Sequence, residues 1–104
     1  LDKNVLMNYN DIIKAFNEHL EKSGKQFYND FYIGITDDIE RRLFTEHKVP
    51  KEGHWFIYAH ADNSSIARDV EKHFLNLGMR GGQGGGDTDT EWVYCYIVSQ
   101  YTTE

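Results

Sequence analysis

The chain has 104 residues, of which 39% are hydrophobic and 14% aromatic, a size and composition that favour one domain with a single modest core. Its formal charge of −6 gives no overall basic surface, which counts against tight non-specific binding to a nucleic-acid backbone. The single cysteine excludes an internal disulfide, and no apolar run is long enough to span a membrane. We therefore expect a soluble cytoplasmic protein with no membrane partner.

The first predicted element is an amphipathic helix near residues 10–23. Asn10 and Asp11 are capping-type residues, and apolar residues follow them at helical spacing, beginning with Ile12 and Phe16. No group of reactive side chains gathers on the polar face of this helix. We interpret it as a packing element.

A strand is predicted near residues 26–36, and its second half reads Phe-Tyr-Ile-Gly-Ile-Thr. Strict alternation places the three apolar residues of this segment on one sheet face and Tyr32 on the other. Gly34 lies on the Tyr32 face and has no side chain. The surface beside the tyrosine ring is therefore expected to be open to a ligand or to another backbone.

A second helix is predicted near residues 38–47. Asp37 is expected to cap it, because Glu40 follows at the three-residue spacing of a capping box. Arg41 and Arg42 lie in its first turns.

A third strand is predicted near residues 54–61. It carries apolar side chains on both faces and is therefore expected to be central in the sheet.

A third helix is predicted near residues 65–77. Glu71 lies on or beside the apolar stripe of this helix. A carboxylate in such a place needs a cation or hydrogen-bond donors to offset its desolvation.

Residues 78–86 contain six glycines and predict a loop. In one interpretation this backbone approaches a phosphate and Arg80 supplies the positive charge. In the other, which is slightly favoured, the loop is a connector or a sharp return to the sheet.

The last predicted strand, near residues 91–99, places Tyr94 and Tyr96 on the same face.

The pattern of several of these residues resembles the signature motifs of the GIY-YIG nuclease family. The run from Tyr32 to Gly34 is similar to that family's second signature triplet, and Arg42 stands ten positions after the tyrosine, as the family's catalytic arginine does. The nearest candidate for the histidine that usually follows one helical turn later is His47, one residue beyond the commonest spacing. Glu71 matches the family's metal-binding glutamate in order and setting.

The family's first signature triplet is absent from the region before Tyr32. A circularly permuted sheet, with the C-terminal strand beside the Tyr32 strand, would restore its tyrosine as Tyr94 or Tyr96. The alternatives are that the first tyrosine is lost or that Tyr28 replaces it.

The predicted elements make an α+β fold, a small and mainly antiparallel sheet flanked by helices. The resemblance implies a single GIY-YIG-like domain over residues 1–104 with a rearranged first strand. It also implies a metal-dependent endonuclease that acts on nucleic acid, with DNA favoured over RNA as the substrate. Glu71 would hold Mg²⁺ or Mn²⁺, and Arg42 would bind the scissile phosphate.

The resemblance further implies that Tyr32, with Tyr94 or Tyr96, orients a water whose proton His47 accepts. The residues expected to contact the substrate are Gly34, Arg41 and Arg80. The acidic composition implies that tight binding needs a homo-oligomer or a protein partner.

A second hypothesis is a catalytically inactive module on the same fold, which binds nucleic acid, a nucleotide-like ligand or a protein. The nuclease hypothesis predicts that Tyr32, Arg42 and Glu71 line one cleft, whereas a Glu71 sealed against Arg42 would favour binding or structure. A third hypothesis is dimerisation through an exposed aromatic patch at Trp92, Tyr94 and Tyr96.

Overall fold

The computed structural model describes residues 5–82 and 88–104. In chain order the elements are β1 (Leu6–Met7), α1 (Tyr9–Glu21), a 3₁₀ turn (Tyr28–Asp30), β2 (Phe31–Thr36), a π-helix (Glu40–Glu46), β3 (Phe56–Ala61), α2 (Ser64–Leu77) and β4 (Trp92–Ile97). The predicted α+β fold is confirmed.

The four strands form one sheet in the order β1-β3-β4-β2. β4 is antiparallel to both of its neighbours, whereas the two-residue β1 pairs parallel to β3. The sheet is therefore mixed, and antiparallel among its three long strands as predicted. The sequence pattern missed β1 because two residues are too few to show an alternation.

Of the alternatives left open for the last strand, the structure contains the pairing of the C-terminal strand with the Tyr32 strand. Tyr32 lies opposite Tyr96, and Gly34 lies opposite Tyr94. Since opposed residues in an antiparallel pair project to the same side, all three tyrosines share one sheet face.

Each face of the sheet carries its own hydrophobic core. The larger core packs under α1 and α2, where the Phe16 and Phe74 rings stack with centroids 5.9 Å apart. The smaller core lies under the π-helix and consists of Tyr32, Ile39, Leu43, Val49, Tyr94 and Tyr96. Buried tyrosines need partners for their hydroxyls, and this second face supplies them.

The structure corrects several predicted boundaries. β2 begins at Phe31 rather than near residue 26, because the preceding residues form the 3₁₀ turn. α1 begins earlier than expected, since the Asn8 side chain accepts a hydrogen bond from the Asp11 backbone at 2.9 Å. At the second helix it is Asp38, not Asp37, that accepts from the Arg41 backbone.

The predicted aromatic docking patch on β4 is wrong for the residues described. Tyr94 and Tyr96 are buried in the smaller core, and only Trp92 of the three is partly exposed. The π-helix covers this face, and its Leu43 packs in the same core as Tyr94 and Tyr96. Among the described residues no helix has both the length and the hydropathy required to cross a membrane.

Candidate active site

The π-helix turns Arg42 and His47 toward the same phenol. The His47 backbone donates to the Arg42 carbonyl at 2.9 Å, the i to i+5 bond that widens a helical turn by about one residue. Residues five apart therefore lie on one side of this helix. Arg42 Nε reaches Tyr94 Oη at 3.3 Å, and His47 Nε2 reaches the same oxygen at 2.7 Å.

Gly34 makes room for that phenol. A Cβ atom built on Gly34 would overlap the Tyr94 ring and hydroxyl, which lie directly over it. The expectation that Gly34 leaves the surface open to a ligand is therefore wrong. A side chain from the neighbouring strand fills the space.

His47 is 2% exposed and bonded through both ring nitrogens. Nδ1 lies 2.7 Å from the Thr103 carbonyl oxygen, which can only accept, so we assign the proton to Nδ1. Nε2 is then an acceptor, and the Tyr94 hydroxyl donates to it. Burial lowers the pKa of His47 while the Thr103 carbonyl opposes this effect, so the imidazole is neutral near pH 7.

Arg42 carries the positive charge of the site. Its Nη1 pairs with Glu46 Oε1 at 2.7 Å, and the hydrogen bonds to Glu46 and Tyr94 raise the pKa of the guanidinium. Arg41 instead contacts Asp37 at 2.6 Å and Glu46 at 3.1 Å. The structure thus places Arg42 beside Tyr94 and turns Arg41 to the solvent side.

Tyr94 has the most partners of the three tyrosines. Burial raises its pKa, the hydrogen bond from Arg42 opposes that rise, and the charges of Tyr32 and Glu71 add to it. Tyr96 is also buried, with a raised pKa, but its hydroxyl contacts only the Nδ1 side of His47, at 3.0 Å. Of the two candidates for the missing tyrosine, Tyr94 is the one that contacts the arginine.

Glu71 is a buried residue of α2 whose carboxylate makes no hydrogen bond or ion pair with any described residue. Desolvation raises its pKa to about 7, an effect that Arg68 partly opposes. In the described part of the chain, every side-chain oxygen or nitrogen that is closed off from solvent has a hydrogen-bond partner. Because the Glu71 carboxylate has no such partner there, its oxygens keep access to water. It is not sealed against Arg42.

A single free carboxylate fits a hard divalent cation that keeps most of its water. Mg²⁺ is commonly held by one or two carboxylates together with water and substrate phosphate. Residues 5–82 and 88–104 contain no group of three or more side chains that would cage a metal. Glu71 is therefore suited to an ion shared with a substrate, and not to a closed structural metal site.

Tyr32 points to the start of the glycine-rich segment. Its ring stacks on Tyr96 with centroids 5.2 Å apart, and its hydroxyl accepts from the Gly82 backbone at 3.2 Å. Within the described part of this segment, Arg80 lies along the free edge of β2, where Ile33 donates to the Arg80 carbonyl at 2.9 Å. The remainder of the predicted loop, residues 83–86, lies outside the described residues.

Arg80 lies at this edge but is not part of the Tyr94 cluster. Its guanidinium donates to the Asn29 carbonyl at 2.9 Å and pairs with Glu104 at 2.9 Å. A substrate role for Arg80 would require that Glu104 be displaced.

Two partners in this site were not anticipated from the sequence as functional groups. Glu46 stands four residues after Arg42, a spacing that signals a helical ion pair but does not reveal that Glu46 and Tyr94 share the same guanidinium. Thr103 acts through its main-chain carbonyl, and side-chain patterns carry no signal for such a contact.

The structure brings together five of the predicted residues: Tyr32, Arg42, His47, Tyr94 and Tyr96. Glu71 lies close enough to influence the ionisation of Tyr94. Comparison of the chain with protein-family models, with curated proteins and with solved structures finds no match. Function must therefore be inferred from the chemistry of these side chains.

Proposed function

We propose that this protein is a metal-dependent endonuclease of the GIY-YIG type that hydrolyses nucleic-acid phosphodiester bonds, with DNA as the expected substrate rather than RNA. The observation that carries the proposal is the hydrogen-bonded chain Arg42–Tyr94–His47, taken together with the Glu71 carboxylate of α2, which makes no hydrogen bond or ion pair with any described residue. This set contains a fixed cation, a proton path and a ligand for a hard metal ion.

Arg42 would bind the scissile phosphate. Its planar guanidinium offers several N–H donors, and the bond from Nε to Tyr94 fixes the orientation of the plane. The Nη1 group, now paired with Glu46, would exchange that carboxylate for a phosphate oxygen. The same cation would then offset the charge that develops on phosphorus.

The proton path runs from Tyr94 to His47. An attacking water forms a bond to phosphorus, the bond from phosphorus to the leaving oxygen breaks, and the water must lose a proton. Tyr94 Oη would accept this proton as its own passes to His47 Nε2. Burial opposes ionisation of the phenol, so the transfer depends on the neutral His47 as acceptor and on Arg42 beside the oxygen.

Glu71 would hold Mg²⁺ or Mn²⁺ at the edge of this cluster. The chemistry that such an ion would supply is polarisation of a phosphoryl oxygen and stabilisation of negative charge on the leaving group. The raised pKa of Glu71 means that the carboxylate must lose a proton before it binds the ion, which it does near neutral pH.

A second candidate is a catalytically inactive module that binds nucleic acid, a nucleotide-like ligand or a protein. The observation that favours it is that Arg41, Arg42 and Arg80 all pair with carboxylates of the same chain. With a net charge of −6, little free positive charge remains to attract a polyanion.

Cleavage of single- and double-stranded DNA and RNA at low salt, with Mg²⁺, Mn²⁺ or EDTA, tests the two candidates. We expect metal-dependent cutting that falls by about 10²-fold or more in Arg42→Ala and in Glu71→Gln. Matched controls are Lys14→Ala and Asp69→Asn, which remove an exposed charge from α1 and from α2. Circular dichroism confirms that each variant is folded.

Equal cutting by all forms would identify a contaminating nuclease and remove the catalytic assignment. Absence of cutting by every form, with retained binding of an oligonucleotide that Arg42→Ala weakens, would support the inactive module instead.

A further inference from the structure

The C-terminal segment Ser99–Glu104 folds back onto the site. A turn held by Thr102 reverses the chain after β4: Thr102 Oγ1 accepts from the Ser99 backbone at 3.0 Å and donates to the Ser99 carbonyl at 3.1 Å. The ion pair between Glu104 and Arg80 ties the far end of the segment to the edge of β2. Thr103, between these two anchors, is thereby brought to His47.

Thr103 and His47 make two reciprocal hydrogen bonds. The Thr103 backbone donates to the His47 carbonyl at 2.7 Å, and His47 Nδ1 donates to the Thr103 carbonyl at 2.7 Å. The pair fixes both the main chain and the ring of His47. Among the buried polar side chains of the described residues, this imidazole is the least exposed.

We propose that Thr103 is a positioning residue whose carbonyl selects the His47 tautomer, an inference that rests on the proposed function. With the proton held on Nδ1, Nε2 is free to accept from Tyr94, as the proton path requires. The opposite tautomer would direct an N–H at the Tyr94 hydroxyl and close that path.

Tyr96 makes the selection necessary. Its hydroxyl lies 3.0 Å from His47 Nδ1 and is able to donate as well as accept. In the presence of the Thr103 carbonyl, Nδ1 must carry the proton and Tyr96 accepts. Without that carbonyl, Tyr96 would donate to Nδ1, and the proton of the ring would move to Nε2.

Nitrogen-15 NMR of the imidazole, on the full chain and on a variant that lacks residues 103 and 104, tests this directly. We expect His47 of the full chain to carry its proton on Nδ1 and His47 of the deletion variant to carry it on Nε2. Tyr96→Phe in the deletion background removes the competing donor and should restore a population protonated on Nδ1. Glu104→Gln is the control, because it breaks the ion pair with Arg80 and keeps the Thr103 carbonyl.

The same tautomer in the full chain and in the folded deletion variant would overturn the proposal. If the deletion unfolds, Thr102→Val replaces it, since this change removes the bonds to Ser99 and loosens the turn. Failure of Thr102→Val to change the tautomer populations would also overturn it.

An oligonucleotide cleavage assay distinguishes failure of this inference from failure of the nuclease proposal. Loss of the carbonyl should lower kcat by about 10²-fold while KM for the oligonucleotide is retained, because Arg42 is untouched. The NMR result needs no substrate, so it decides the role of Thr103 even where no form of the protein cuts. A kcat unchanged despite a changed tautomer would contradict the functional part of the inference.

Discussion

The phenol of Tyr94 lies across Gly34, its partner in the pairing of β4 with β2. Any side chain at this position would push the hydroxyl away from His47 and Arg42. We expect Gly34→Ala to lower the free energy of unfolding by about 1–3 kcal/mol. Urea denaturation measures the loss, and a smaller loss in a Tyr94→Leu background would show that the two residues are coupled.

Tyr94→Phe and Tyr96→Phe distinguish the two tyrosines. Loss of the Tyr94 hydroxyl leaves His47 Nε2 and Arg42 Nε without their partner and interrupts the proton path, so we expect kcat to fall by about 10²-fold or more. Loss of the Tyr96 hydroxyl leaves Nδ1 bonded to Thr103, and kcat should change by less than about fivefold. Single-turnover cleavage compares the variants, and the reverse order of effects would assign the role to Tyr96.

Glu71 makes the stability of the fold depend on pH. Its pKa is about 7 in the folded chain against an ordinary value of 4.5, so between these two pH values the folded state binds more protons than the unfolded state. The free energy of unfolding therefore falls as the pH rises through this window. We expect Glu71→Gln to remove this dependence and to stabilise the protein by about 1–2 kcal/mol at about pH 8.

Urea unfolding at about pH 5 and about pH 8 checks the Glu71 effect, with Asp69→Asn as the exposed carboxylate on the same helix. Added Mg²⁺ should raise the midpoint of the native protein at the higher pH and leave Glu71→Gln unchanged. Equal pH dependence in both proteins would mean that the carboxylate is solvated in the folded state.

Glu46 pairs with the Arg42 guanidinium, the group that would bind the phosphate in the proposed mechanism. Glu46→Gln removes a charge that competes with the substrate for Arg42, and we expect the Kd for an uncleaved oligonucleotide to fall about threefold to tenfold. Fluorescence anisotropy in metal-free buffer measures it. Glu40→Gln is the control, because it removes an equal charge from the π-helix and contacts Lys51 instead. Weaker binding by Glu46→Gln would show that Glu46 mainly orients the arginine.

Alternation and helical spacing predicted the three long strands and their faces, whereas the pairing of the Tyr32 strand with the last strand was one of the alternatives that the family resemblance raised. The strands and their faces depend on which residues are apolar, and a single sequence records that directly. The position of Glu71 near the apolar stripe was predictable on the same basis, and its burial is confirmed.

The geometry around His47 was not predictable in this way. The widened turn between Arg42 and His47 follows from how the helix packs on the sheet, and no residue pattern marks it. The contact with Thr103 joins the His47 ring and backbone to main-chain atoms 56 residues away in the sequence. The space above Gly34 was expected to be open to a ligand, because the register that places Tyr94 over Gly34 becomes known only once the strands are paired.

The order of the strands has a consequence for synthesis of the chain. β4 lies between β2 and β3 but follows both of them, so each earlier strand lacks its main partner until residues 92–97 have left the ribosome. Until then the nascent chain would leave the edges of β2 and β3 without their antiparallel partner. Arg42 likewise meets Tyr94 only after translation of β4, so a truncated translation product would hold no assembled site.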